Sequence, residues 1–456
     1  MQIGPVFIDM SYLQGLLDRG LFGILGELFI LGGFLLFVWV CFFFALSYYQ
    51  EYRENKFTAD WRWVVLAVDI PPLNVQTPKA IEQMFAHLAG AFDKPGIKDK
   101  FRGGYKQRWF SFEIISIEGY IQFVIRTEAA FQKLVEAALY AQYPDAEITE
   151  VEDYVQGLPD TFPDKTYDMW AADFGLAEND AFPIRSYHDF EHSISKDTVL
   201  KDPMGAFLES FSHIGPGEQM WFQIMIEPID NGWKDKAIKK IKELIGEKEK
   251  AKTSPLQKLL DVPIQTVGLL SDQIYGAVER GGAKEEKGDK NELRYLTPGQ
   301  SKLVEAMEQK ISMIGFKTKI RGVYIARKEV FKPERGVPAL IGAMNQFNIP
   351  TSNSIVPKSG ASSNEKKTLF MMAYKKRKLK IGANPFVLNV EELATIWHFP
   401  MSHVKTPMVQ KVETKQSEPP IGLPIERVDA PIIAEKKKKT ESSTDAFGYS
   451  SDMHFG

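Results

Sequence analysis

Residues 109–127 read WFSFEIISIEGYIQFVIRT. Two runs rich in aromatic and β-branched residues flank Glu118-Gly119, the pattern of a β-hairpin closed by a two-residue turn. Working outward, residues 63–70 (WVVLAVDI) form a compact apolar strand that Pro71-Pro72 ends. Thr77-Pro78 supplies an N-cap and a proline at the first helical position. Ile81, Phe85 and Leu88 then recur at helical spacing. Beyond the hairpin, Thr127 is the expected cap of an amphipathic helix, EAAFQKLVEAALYAQYP, and AEITEV (146–151) reads as a closing strand. The order is βαββαβ.

A looser copy follows. It is expected to run through a strand at 181–190, a helix at 202–213, the strand MWFQIMIEP (220–228), a strand at 316–331, a helix at 336–347 and a strand at 367–374. A charged helical stretch, about 233–313, interrupts it. The expected fold class is α+β: two ferredoxin-like (βαββαβ) modules, the first over 57–155 and the second over 180–400 with the helical insertion. Thr351 to Lys366 reads as flexible, as does the Gly-rich charged run 281–292. Residues 411–456, with KKKK at 436–439, read as a disordered tail.

Ahead of the modules, residues 1–56 read as a membrane anchor. Leu28 to Tyr48 is LFILGGFLLFVWVCFFFALSY, 21 residues without a charge. At about 1.5 Å per residue it spans roughly 31 Å, matching a hydrocarbon core of ~30 Å. Its 14 Leu, Ile, Phe and Val residues sum to roughly −6 kcal/mol on an insertion scale. A cleaved signal would carry a basic n-region, a shorter apolar run and a small-residue cleavage site. Here Arg19 is the only cation before the run, while Arg53, Lys56 and Arg62 follow it. The positive-inside rule then puts the soluble bulk in the cytoplasm, with Tyr48, Tyr49, Tyr52, Trp61 and Trp63 near the inner interface. Cys41 is the sole cysteine, so no internal disulfide can form, which fits a reducing compartment. Set within the apolar run, it is expected to be buried and offers no nucleophile.

The net charge of −3 hides a block pattern. Residues 145–197 hold 14 acidic and three basic residues, whereas 298–380 hold 17 basic and five acidic. The basic block includes KKRKLK (375–380). Lys375, Lys376, Arg377, Lys378 and Lys380 are therefore the candidate residues for an anionic partner: lipid, nucleic acid, or the acidic surface of a neighbouring subunit in a homo-oligomer. The bland alternative is that charges on solvated faces merely offset one another.

Catalytic motifs are missing. The chain has no Walker A loop, no G-x-S-x-G and no H-E-x-x-H. His188 and His192 lie four apart beside Asp189 and Glu191, but no third ligand is evident, and a surface polar cluster is the expected reading. His398 is expected at a helix C-terminus, where the macrodipole favours it. No metal or cofactor is expected.

Several stretches carry a family resemblance: LAVDIPPLNVQTPKAIEQMFAHLAG (66–90), GEQMWFQIMIEPI (217–229), FVLNVEELATIWHFP (386–400), VKTPMVQKVE (404–413) and EPPIGLP (418–424). Together they resemble the N-terminal membrane-anchored region of bacterial type IV secretion-like, HerA/FtsK-class DNA-pumping ATPases, over most of residues 60–424. NVEELATIWHFP is the most specific piece. The resemblance implies a bacterial inner-membrane protein. The sequence ends at Gly456, where such a family would begin its motor, so the family's phosphate-binding residues have no counterparts here. The expected function is a non-enzymatic, single-pass scaffold or accessory subunit that docks a motor ATPase or a secretion- or conjugation-like complex. The alternative is an electrostatic nucleic-acid-binding component of a DNA-transfer system.

Overall fold

A computed structural model describes residues 2–3, 6–7, 26, 29–71, 74–193, 198–200, 202–246 and 296–401. The middle of the expected insertion (247–295) and the expected tail (411–456) lie outside the described residues.

An α-helix, α1 (Phe34–Thr58), follows a π-helical turn at Phe29–Gly33. None of its residues is buried, and it is long and apolar enough to cross a membrane. Cys41, expected to be buried, is exposed on it. The helix runs ten residues past Tyr48, so a polar stalk continues the apolar run.

The first half then reads β1 (Trp63–Asp69), α2 (Pro78–Leu88), β2 (Phe110–Ile117), β3 (Tyr120–Glu128), α3 (Gln132–Tyr140) and β4 (Glu147–Val151). The β2–β3 turn is the two-residue loop that the sequence implies. Glu118 (φ 56) and Gly119 (φ 92) both take the positive φ of a type I′ turn. Thr127 does not cap α3. It is buried inside β3, and a 3-10 turn at Ala129–Phe131 separates strand from helix.

The second half reads β5 (Tyr167–Leu176), α4 (Pro203–Ser212), β6 (Glu218–Pro228), α5 (Gly232–Leu244), α6 (Pro298–Ser312), β7 (Gly315–Arg327), α7 (Pro333–Asn345), β8 (Ile355–Gly360), α8 (Asn364–Lys375), β9 (Phe386–Asn389) and α9 (Val390–Ile396). Three expectations are corrected. The opening strand is 167–176, not 181–190, which is loop apart from a 3-10 turn at Tyr187–Phe190. The expected strand 367–374 lies within helix α8. Ser363 caps that helix, its side chain accepting from the Lys366 amide. The closing strand is β8, within the segment expected to be flexible.

Among the described residues, the main sheet has nine strands, in the order β8-β5-β7-β6-β2-β3-β1-β4, with β9 pairing along β7. All pairs are antiparallel. Each half contributes its strands in the order fourth, first, third, second. The halves join through their second strands, β2 and β6, with Glu113 opposite Gln223. The strand order is therefore palindromic.

Alternation along the strands gives the sheet two faces. One carries Val64, Leu66, Phe112, Ile114, Phe123, Phe222 and Ile224 against α2, α3, α4, α7 and α9. Trp397, just past α9, lies with its ring centroid 4.9 Å from Phe112, 5.7 Å from Phe123 and 5.1 Å from Phe399. The chain's last described helix thus closes over the first half. The opposite face carries Val65, Val124, Trp221 and Val323 against Met371 and Tyr374 of α8 and Val155 and Leu158 of the 152–166 segment.

Candidate anion-binding surface beside the N-terminal helix

Several charges of the acidic and basic blocks pair with each other. They meet inside this chain, over the second face of the sheet. Arg377 is fully buried and forks onto Glu113, Nε to Oε1 at 3.0 Å and Nη2 to Oε2 at 3.0 Å. It also donates to Asp153 at 2.9 Å. Arg321 donates to Asp173 at 2.9 Å, Lys375 pairs with Asp160 at 2.7 Å, and Lys367 pairs with Asp168. Burial pushes the Glu113 carboxyl up, but the Arg377 guanidinium, with hydrogen bonds from Ser111 and Tyr154, outweighs it and holds the value down at about 2. Burial brings the Lys319 ammonium down to about 8 against the pull of Asp173.

This network explains how the KKRKLK tract is held. Arg321 donates to the carbonyls of Lys378 at 2.6 Å and Ile381 at 3.0 Å. Lys319 donates to those of Leu379 at 3.3 Å and Ala383 at 2.7 Å, and to Ile381. Buried cations thus strap the segment to the sheet by its backbone, and side chains alternate along it. Arg377 and Leu379 point inward, while Lys376, Lys378 and Lys380 are exposed. Of the five sequence candidates, Arg377 is consumed by the core and Lys375 by Asp160. A cleft of about 180 Å³ lies beside the strap, with Asp173 and Arg321 in its lining, and these two are already paired to each other.

One of the outward lysines reaches α1. Lys380 pairs with Glu54 of the stalk at 2.8 Å. The Arg53 guanidinium donates to the carbonyl of Arg102. Gly104, at φ 71, lies so close that a Cβ there would sit 2.3 Å from the Arg53 carbonyl oxygen. Trp61 and Trp63 pack on Trp109, at centroid distances of 5.5 and 4.7 Å, with Leu379 in the same cluster. The Arg126 guanidinium covers Trp63 at 4.1 Å, and Arg108 covers Trp61 at 5.0 Å. Burial lowers the Lys106 ammonium here, with Glu54 opposing. Sequence reasoning passes over this loop. Its legible signal is the mixture of cations with Ile97 and Phe101 in DKPGIKDKFRGG (93–104).

Among the described residues, the histidines do not gather into a metal site. His188 is exposed beside Tyr187, and the side chain of His192 lies outside the described residues. Among the described residues, no three His, Cys, Asp or Glu side chains gather as metal ligands. His398 lies just past α9 and is buried. Its ring nitrogens sit 2.7 Å from the Ala394 carbonyl and 2.9 Å from Asp202, the N-cap of α4. Burial acts to raise the Asp202 carboxyl, yet the charge and hydrogen bond of His398 bring it below its usual value. The rest of NVEELATIWHFP is also spent on the fold. Asn389 and Glu392 form a capping box, Glu392 pairs with buried Lys310 at 3.0 Å, and the Thr395 hydroxyl accepts from the Tyr187 amide at 2.9 Å.

Residues 71–412 match a family model described as Domain of unknown function (DUF8128). The chain belongs to this family. The DUF8128 match covers the sheet apart from β1, the cation strap and α9, and begins after α1 and β1. A comparison with curated proteins found no match.

Proposed function

We propose that this DUF8128 protein is a non-enzymatic, single-pass scaffold of a bacterial inner membrane. In this reading α1 anchors two ferredoxin-like modules, fused edge to edge, on the cytoplasmic side, where they dock a motor ATPase of the HerA/FtsK class or a secretion-like complex. The observation that carries it is the junction of α1 with the sheet. The stalk is fixed by Arg53 against Arg102 and Gly104, by Glu54 with Lys380, and by Trp61 on Trp109. An anchor docked in this way holds the modules at a set height and orientation, which a docking platform needs and a flexible tether does not supply. The likeness of NVEELATIWHFP and its neighbours to the anchor regions of such motors supports the choice of partner. The 456 residues contain no Walker A loop, so the motor belongs to another chain or to a segment outside these residues. Affinity capture of the full chain from native membranes should bring down a P-loop ATPase. Capture that repeatedly returns the chain without one contradicts the docking role.

A second reading, nucleic-acid binding, rests on the outward row of Lys376, Lys378 and Lys380. It predicts retention of DNA at ~50 mM salt, weakening steeply as salt rises. Lys376→Glu with Lys378→Glu should abolish it without touching the core. Reversal at Arg377 is not a valid test, because it would unpair Glu113. Failure to retain DNA at low salt removes this reading.

A further inference from the structure

The loop at 92–103 presents a combination that the anchor alone does not require. Ile97 is 80% exposed, Phe101 41% and Phe92 37%. Between and around them Lys94, Lys98, Lys100 and Arg102 are all exposed. A soluble surface gains nothing by setting large apolar side chains in water, and such a patch rimmed with charge marks a contact site. Apolar tips flanked by cations suit the boundary between acyl chains and anionic headgroups.

The position of the loop decides which surface it meets. Its π-helical turn, Asp99–Gly103, packs on α1 at Arg53, with Gly104 against the Arg53 carbonyl. The uncharged run ends at Tyr48. Five residues of helix rise about 7.5 Å, and the headgroup layer on each side of the hydrocarbon is roughly 5–7.5 Å deep. If α1 spans the bilayer with its apolar run in the hydrocarbon, the loop is held at headgroup depth. Tyr49, Tyr52 and Lys56, exposed on the same stretch of stalk, belong to the same zone.

We propose that this loop is a second membrane contact, with Ile97 and Phe101 entering the cytoplasmic leaflet while Lys94, Lys98, Lys100 and Arg102 bind anionic phospholipid headgroups. The proposal rests on the reading of α1 as a membrane span. It gives the protein two points of attachment, one threaded and one interfacial, which together fix the tilt of the sheet over the membrane.

The test uses the full chain reconstituted in vesicles and an environment-sensitive fluorophore on a single cysteine. Native Cys41 reports on α1. Ile97→Cys and Phe101→Cys, each in a Cys41→Ala background, report on the loop. The vesicles are phosphatidylcholine alone or mixed with phosphatidylglycerol, each with and without brominated acyl chains. The expected result is blue-shifted emission, quenched by brominated lipid, at 97 and 101 in the mixed vesicles. The shift should be smaller in phosphatidylcholine alone and lost in Lys98→Glu with Lys100→Glu. Water-like emission at both loop positions in both vesicles, with Cys41 quenched, overturns the loop contact and leaves the anchor standing. Water-like emission at Cys41 as well overturns both. Loop quenching that ignores lipid charge and the glutamate variants overturns the headgroup part.

Discussion

At the residue scale, Arg377 shows how misleading a charge run can be. KKRKLK reads as a uniform basic patch, yet only alternate residues face out, and the central arginine is fully buried and paired. Its partners Glu113 and Asp153 lie 264 and 224 residues away in sequence. No local reading could assign them, although Leu379 between two lysines hints at an in–out alternation. Removing one member of a buried pair leaves the other charged and unpaired. Arg377→Met should therefore destabilise the full chain in detergent by about 3–5 kcal/mol, read from its denaturant midpoint. A loss below about 1 kcal/mol would match an exposed pair instead. The pH dependence follows from Glu113. Its folded value of about 2 lies below the ordinary 4.5, so its contribution is full above 4.5 and lost as pH falls towards 2. The stability gap between the native chain and Glu113→Gln should accordingly shrink across that window, and a gap that stays constant there would refute the pairing.

At the scale of elements, the errors share a cause. The stretch 355–360, IVPKSG, carries Pro, Ser and Gly and reads as loop. It is β8, at the edge of the sheet, where a proline in a strand is tolerated. KTLFMMAY is apolar enough for a strand, and only the Ser363 cap in the preceding loop marks it as helix. β5 is disguised by Asp168 and Asp173, which are acidic because Lys367 and Arg321 await them across the fold. The hairpin at 110–128 and helix α2, whose signals are local, are legible throughout. The α1 junction is another long-range element. Gly104→Ala would put a Cβ 2.3 Å from the Arg53 carbonyl oxygen at φ 71, adding about 1–2 kcal/mol of left-handed strain. The variant should release the 99–103 turn from the stalk and speed trypsin cleavage after Lys98, Lys100 and Arg102. Cleavage at the native rate would mean that the contact does not hold the loop.

At the scale of the whole molecule, the sheet is one continuous layer built from two halves, which meet at β2 and β6 and are locked again by Trp397. The βαββαβ order of the first half follows from the sequence, whereas in the second half the opening and closing strands lie elsewhere than the sequence suggests. The edge-to-edge joining does not follow from it, because it depends on which strand edges remain open once each half has folded. The charge blocks follow the same logic in part: Asp153, Asp160, Asp168 and Asp173 of the acidic block pair with cations of the basic block across the fold. The scaffold reading requires that α1, long and apolar enough to cross a membrane, does so. The most direct measurement is alkaline carbonate extraction of cell membranes, with peptide mapping of the chain in each fraction. An anchored protein stays in the pellet and retains the apolar stretch 28–48. A chain found in the soluble fraction and lacking that stretch would show a cleaved signal and contradict the scaffold.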